Sequence, residues 1–173
     1  YTIWVRVLFF IALFVCNSPP SFRMPTHIER KILPYSAAQL FDLVADVESY
    51  PQFLPWCIDC HITKWESDTV FLADLVIGYK FIRETFGSRV TLHRGEPPEI
   101  HVAYISGPMR YLSNTWQFTD QPDGTCAIDF DIDFEFKNAL LEKLMGLFFY
   151  EAVRRMVRAF ETRAKTVYSD FKH

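Results

Sequence analysis

A chain of 173 residues, half of them apolar, can build one domain around its own core without disulfides or a structural metal. Its formal charge of −3 conceals an asymmetry: residues 24–137 carry 9 Lys/Arg against 17 Asp/Glu, and residues 138–173 carry 7 against 4. This excludes a general DNA binder with a dominant basic face and leaves a basic tail able to touch something anionic, while an aromatic content of 17% excludes a disordered chain and exceeds what a Leu/Ile/Val core requires.

Residues 1–23 stand apart. Val7–Cys16 is an unbroken apolar run, preceded by Arg6 and followed by Asn17-Ser18-Pro19-Pro20-Ser21. As a helix it would span about 15 Å, half of a bilayer core of roughly 30 Å. It suits the apolar centre of a signal peptide, but no small-x-small cleavage site follows it cleanly. A targeting piece, a short membrane anchor and translated sequence upstream of a start at Met24 are the readings. The last is preferred, and the domain is expected over 24–173.

His27–Leu33, with Ile28 and Ile32 among polar residues and Pro34 after it, predicts a short strand. Ser36 with Gln39 three positions later forms a capping box for a helix over Ala37–Val44. Asp46 offers a cap for a second short helix, Val47–Tyr50, which Pro51 would stop. In 70–83, Phe71, Ala73, Leu75, Ile77, Tyr79 and Phe81 share one face of a strand, Asp74, Lys80 and Glu84 lie on the other, and Gly78 marks a bulge or bend. Strands over Arg89–His93, Ile100–Ile105 and Leu112–Phe118 follow, separated by Gly95-Glu96-Pro97-Pro98 and Gly107-Pro108. In Ala127–Phe136, Ile128, Phe130, Ile132, Phe134 and Phe136 alternate with four acids, so one face is buried and one is wet. Pro122-Asp123-Gly124 closes the hairpin before it.

Asn138 opens a helix of about thirty residues. Leu141, Leu144, Met145, Phe148, Phe149, Ala152, Val153, Met156, Val157 and Phe160 recur at three- and four-residue steps. A sheet with one wet face must bury the other, and this helix alone is large enough to cover it. The fold class is therefore α+β: a curved antiparallel sheet of six to seven strands wrapped around a long C-terminal helix, with two short helices after the first strand.

Aromatic and branched side chains converge on the space between sheet and helix. From the strands come Phe71, Leu75, Tyr79, Val102, Tyr104, Trp116, Phe118, Phe130 and Phe134; the helix supplies Leu144, Met145, Phe148, Phe149, Val153 and Met156. Any one of them is ordinary core, whereas the set predicts an apolar pocket with few polar groups. Tyr79, Tyr104 and Asn114 are its polar candidates, and Asn114 serves equally as a satisfied sheet-edge amide. Phe53, Leu54 and Trp56 lie beside the expected cavity mouth. They either pack on the domain or form a lid dipping into a membrane, and the second is preferred because aromatic rings favour the interface. Arg154, Arg155, Arg158, Arg163 and Lys165 of the helix form either a solvated face or a contact for anionic lipid or ribosomal RNA, with Arg154, Arg155 and Arg158 taken as the contact residues.

Other motifs lead nowhere. Cys57-Ile58-Asp59-Cys60-His61 spells a haem-attachment pattern, yet strand alternation groups Ile58, Cys60 and Ile62 and sets His61 opposite. No zinc-ligand spacing exists among the remaining His and Cys, so no metal is expected. The alternating acids of 129–135 belong to the solvated face, and no catalytic residue is assigned.

Tyr35–Ala38 leading into Leu40–Cys57, with its Tyr50-Pro51-Gln52-Phe53-Leu54-Pro55-Trp56, resembles the signature of the coenzyme-Q-binding START-domain proteins. These are similar to bacterial ribosome-association toxins and belong to the wider polyketide-cyclase/dehydrase group. Gly107-Pro108-Met109-Arg110-Tyr111-Leu112 with Trp116-Gln117-Phe118 resembles a second marker, although position 109 there is usually Phe. Ile132–Asn138 and Met156–Ala164 resemble a third. The resemblance spans about Met24 to Tyr168. It implies a START-like helix-grip fold whose cavity holds ubiquinone or a similar isoprenoid lipid, with no covalent cofactor. The implied role is a non-enzymatic ubiquinone chaperone supporting respiratory electron transport. It would touch an anionic membrane: the bacterial inner membrane from the cytoplasm, or the mitochondrial inner membrane from the matrix. The alternative implied is a toxin that binds the large ribosomal subunit and blocks subunit joining. A cyclase-like enzyme comes third, with only His101 and Arg110 to serve it.

Overall fold

The computed structural model describes residues 27–79 and 82–169, and the side chains among them except those of 79, 82 and 139–150. The expectations for residues 1–23 lie outside the described residues. Seven strands form one antiparallel sheet in the order β1-β7-β6-β5-β4-β3-β2. They are β1 (His27–Leu33), β2 (Cys57–Ser67), β3 (Val70–Tyr79), β4 (Ile82–His93), β5 (Glu99–Ser106), β6 (Met109–Asp120) and β7 (Cys126–Phe136). Between β1 and β2 come helix α1 (Ala37–Ala45) and a 3-10 helix (Val47–Gln52), and the chain ends in α2 (Ala139–Tyr168). This is the START-like arrangement expected from the sequence.

The capping box at α1 is complete: Gln39 N–H donates to Ser36 Oγ (3.2 Å) and Ser36 N–H to Gln39 Oε1 (3.0 Å). The Ala37 N–H, a third donor of the first turn, goes to Asp120 Oδ1 at 2.7 Å, which ties α1 to the end of β6. Asp46 makes no side-chain cap. Its carboxylate accepts the Ser49 hydroxyl instead. The 3-10 helix runs on to Gln52 with Pro51 inside it, because so short a segment forfeits at most one backbone bond to proline.

Two strand readings are corrected. The run 70–83 is not one strand: Tyr79 pairs with Ile82 and Gly78 with Arg83, so the chain reverses within it. Tyr79-Lys80-Phe81-Ile82 carries none of the Gly, Pro, Asn or Asp that mark a turn, and the apolar alternation runs on across it. Glu84 consequently pairs with Ile77 and shares its face rather than that of Asp74. Gly78 lies in unbroken register and makes no bulge. The register shifts instead in β2, between Ile62 and Lys64, between Trp65 and Ser67 and, first, at a bulge between Cys57 and Asp59. That bulge turns Ile58 outward (49% exposed) and buries both Cys57 and Cys60, because an inserted residue resets which side chains face the core.

The β6–β7 hairpin closes as expected. Gln121 N–H bonds the Thr125 carbonyl (2.7 Å), Gly124 takes a φ of +80°, and Asp123 accepts from both the N–H and the hydroxyl of Thr125. Along β7 the residues from Ile128 to Phe136 alternate between inner and outer faces as the sequence indicates.

Helix α2 has 30 residues and is therefore about 45 Å long. Val153, Phe160 and Ala164 form its buried stripe, while Glu151, Arg154, Arg155 and Arg158 are exposed. Its last turns are fastened to the first part of the chain. Tyr168 Oη donates to the Gln39 carbonyl (2.7 Å), its ring lies 5.7 Å from that of Tyr35, and Lys31 meets Glu161 at 3.3 Å. Phe160 makes the junction between layers, with ring centroids 5.5 Å from Tyr50, 5.2 Å from Phe53 and 5.6 Å from Trp116. Phe160→Ala should cost about 3–5 kcal/mol in urea denaturation, the range for a buried ring whose site cannot collapse. A loss below about 1 kcal/mol would show that Phe160 holds nothing together.

Candidate functional site

The inner face of the sheet is mostly filled. Phe71 and Phe118, expected to line a cavity, are closed core: Phe118 is 0% exposed and packs edge-on against Phe41 of α1 at 5.9 Å. For Phe118 the reason is α1, which packs on β5 and β6; Phe71 has the Trp65 ring against it at 4.9 Å. Leu75, Trp116 and Met156 pack against the same core. Trp116 and Phe130, with centroids 4.5 Å apart, border a void of about 40 Å³ together with Leu33, Val157 and Phe160. That is room for a water molecule, against the roughly 300–1,000 Å³ of an ordinary ligand site.

Farther along the sheet, Phe134, Met109, Phe136 and Val153 form a second cluster, with Tyr104 and Leu112 against it. The Tyr104 hydroxyl is buried and has no hydrogen-bond partner among the described residues. Asn114 is not free to hold a ligand in the expected way. Its Nδ2 donates to the Asp131 carbonyl (2.7 Å) and its Oδ1 accepts from the Trp116 indole (2.8 Å), so the sheet and its neighbour claim the amide. The side chains of Tyr79, Leu144, Met145, Phe148 and Phe149 lie outside the described residues.

The apolar loop is docked on the domain, the first of the two arrangements its sequence allows. Phe53 stacks edge-on against Tyr50 and Phe160, and Leu54 packs on the core. Trp56 adopts a left-handed φ of +65°, unusual for a bulky residue, and its carbonyl accepts the Gly78 N–H at 2.8 Å. Two arginines of α2 cover the rings: Arg155 lies 5.7 Å from the Trp56 centroid and Arg163 lies 5.4 Å from that of Phe53.

Between this loop and α2 lies a groove of about 530 Å³, lined by Gln52, Phe53 and Pro55 and by Arg155, Arg158, Ala159, Thr162, Arg163 and Thr166. Its lining holds three arginines and no acid. Arg155 pairs with Glu151 at 2.7 Å, which holds that carboxyl below its usual range. Arg163 donates to Gln52 Oε1 (3.0 Å). The Arg158 side chain makes no hydrogen bond or ion pair among the described residues. Of the three arginines singled out in the sequence, Arg155 and Arg158 enter the groove and Arg154 does not. Arg163 belongs to the same basic face read from the sequence and Pro55 to the apolar stretch, but neither they nor Gln52 were assigned to a site, although 155, 159 and 163 and 158, 162 and 166 repeat at the four-residue spacing of one helix face.

Elsewhere the polar groups serve structure. Cys60 is buried while His61 is exposed, its Nδ1 3.1 Å from the Asp59 carboxylate, so the two do not share a side. Burial raises the thiols of Cys57 and Cys126 to about 11 and that of Cys60 to about 12. No group of three His, Cys, Asp or Glu able to hold a metal occurs among the described residues. No described helix is long and apolar enough to cross a membrane.

Residues 33–161 match the family of polyketide cyclase/dehydrase and lipid transport proteins, and the chain belongs to that family. Its curated relatives lie on two sides of the family. It is 44% identical to the ribosome association toxin RatA of Rickettsia prowazekii, over 79% of this chain and 94% of that protein. It is 34% identical to coenzyme Q-binding protein COQ10 homolog B of Xenopus laevis, over 81% of this chain and 58% of that protein. A START superfamily protein from Mycobacterium smegmatis shares the fold at TM-score 0.65 and 18% identity, over 82% of this chain and 98% of that one.

Because the fold holds its thiols neutral, their stabilisation is complete below the ordinary value of 9.0 and is lost as pH rises through about 11 to 12. Thermal melts should therefore weaken above pH 9, less steeply in Cys60→Ala. Iodoacetamide at neutral pH should label Cys57, Cys60 and Cys126 slowly in the folded protein and fully in the urea-unfolded protein, read peptide by peptide by mass spectrometry. Rapid labelling of these three thiols in the native state would contradict this burial.

Proposed function

We propose that this protein is a non-catalytic interaction module that associates with the ribosome through the basic side of α2. The acid-free groove with Arg155, Arg158 and Arg163 carries this reading. The extent of its similarity to proteins named as ribosome association toxins supports it. Ribosomal RNA is a polyanion, so contact through arginines is salt-dependent. Action on the large subunit to block subunit joining is the corresponding mechanism. Purified protein should co-sediment with ribosomes at low salt and dissociate as salt rises. Arg154→Ala/Arg155→Ala/Arg158→Ala should remove the binding without lowering the melting temperature. Co-sedimentation that ignores both salt and these arginines would sink the proposal.

A second reading rests on Tyr104. A buried hydroxyl without a described partner is costly, and a quinone carbonyl would accept from it. The similarity to a protein named for coenzyme Q binding supports a ubiquinone or related isoprenoid ligand beside Phe134 and Val153, presented at a membrane. Mass spectrometry of organic extracts should then find a quinone, reduced several-fold in Tyr104→Phe. Extracts of the native protein that contain no isoprenoid would end this reading.

A further inference from the structure

We propose that the groove between the Gln52–Pro55 loop and α2 captures one unpaired nucleotide of an RNA strand, with its phosphate on Arg158. This deepens the ribosome reading and rests on it, naming which part of an RNA the site recognises. Charge is the first argument. Three arginines enter the groove and no acid does. Two are already placed, Arg155 by Glu151 and Arg163 by Gln52 and the Phe53 ring. Arg158 is exposed and its guanidinium has no hydrogen-bond or ion-pair partner among the described residues, so its donors are open to a phosphate.

Shape and surface chemistry select the single strand. The recess is about 530 Å³, within the range of small-ligand sites. An RNA duplex hides its base faces in the stack, whereas a loop or bulge can splay a base into such a recess. The Arg163 guanidinium, backed by the Phe53 ring, presents a plane on which a base can stack. Polar edges are available as well. The Thr162 and Thr166 hydroxyls donate back to the carbonyls of Arg158 (2.8 Å) and Thr162 (3.1 Å), which leaves their oxygens as acceptors. The Gln52 amide N–H2 has no described partner and can donate. A lipid surface fits poorly, because insertion needs a protruding apolar face, and Phe53 and Leu54 are packed onto the domain.

The test is fluorescence anisotropy with labelled six-nucleotide U and A RNAs and a twelve-base-pair RNA duplex, on the full chain. The single strands should bind at least about tenfold more tightly than the duplex. Arg158→Ala should lose about tenfold and flatten the slope of log affinity against log salt by about 0.7, the share of one single-strand phosphate contact. Arg158→Lys should restore most of the binding. Ala159→Glu, which places a carboxylate in the groove, should abolish it, while Arg154→Ala outside the groove should change it less than threefold. Equal binding of the duplex, or equal losses in Arg154→Ala and Arg158→Ala, would overturn the proposal. So would binding to anionic phospholipid vesicles with the same Arg158 dependence and none to the RNAs. If ribosomes co-sediment with the protein but the short RNAs do not bind, the groove assignment falls and the ribosome reading stands. If neither binds, both fall.

Discussion

The Phe160 ring sits where three separately formed parts of the chain meet. Its edges and faces contact Tyr50 of the 3-10 helix, Phe53 of the following loop and Trp116 of the sheet. Trp116 passes the contact on to Phe130 and Phe118, and Phe118 to Phe41 of α1. The ring pairs are of the edge-on or offset kind favoured by the aromatic quadrupole, so each adds to simple burial. This chain of rings holds α2 on the sheet and the loop on α2. The basic groove exists because of it: remove the docking of Phe53 and the groove has no second wall.

The same packing shifts the balance between inside and outside. Aromatic residues that a sequence reading assigns to a ligand space are largely used to close the layers. Beside these rings lie a void of about 40 Å³ near Trp116 and a second cluster in which the Tyr104 hydroxyl lacks a described partner. Outside, cationic side chains are held in defined places by Glu151, Gln52 and two aromatic faces. A family whose members include proteins named for ribosome association and for coenzyme Q binding can accommodate both on one scaffold, since the sheet-to-helix space and the outer face of α2 are separate surfaces.

Much of the architecture was legible. The capping box at Ser36 and Gln39, the Asp123-Gly124 turn, the alternation of β7 and the stripe of α2 from Val153 to Phe160 are local signals, and each is where it should be. The misreadings share a cause. Between Tyr79 and Ile82 the chain reverses although the sequence there holds no turn residue, and at Cys57–Asp59 a bulge resets the strand. Period-two patterning reports alternation but not direction, so a reversal between two apolar strands leaves no trace in it. The arginines were visible as a basic helix face. Their partition between groove and open surface was not, because the other wall comes from residues a hundred positions earlier.

The amino-acid sequence by itself determined the class of fold, the one-sided burial of the last strand and the long basic amphipathic helix, because these follow from periodicity and capping within short windows. Only the tertiary structure decided which aromatic residues are core, that Phe53 and Trp56 lie down against α2, that Asn114 bonds Asp131 and Trp116, and that Arg158 lacks a partner among the described residues. Each depends on what lies opposite a side chain across the layers. Two elements can meet at many offsets consistent with the same local pattern, and packing selects one of them.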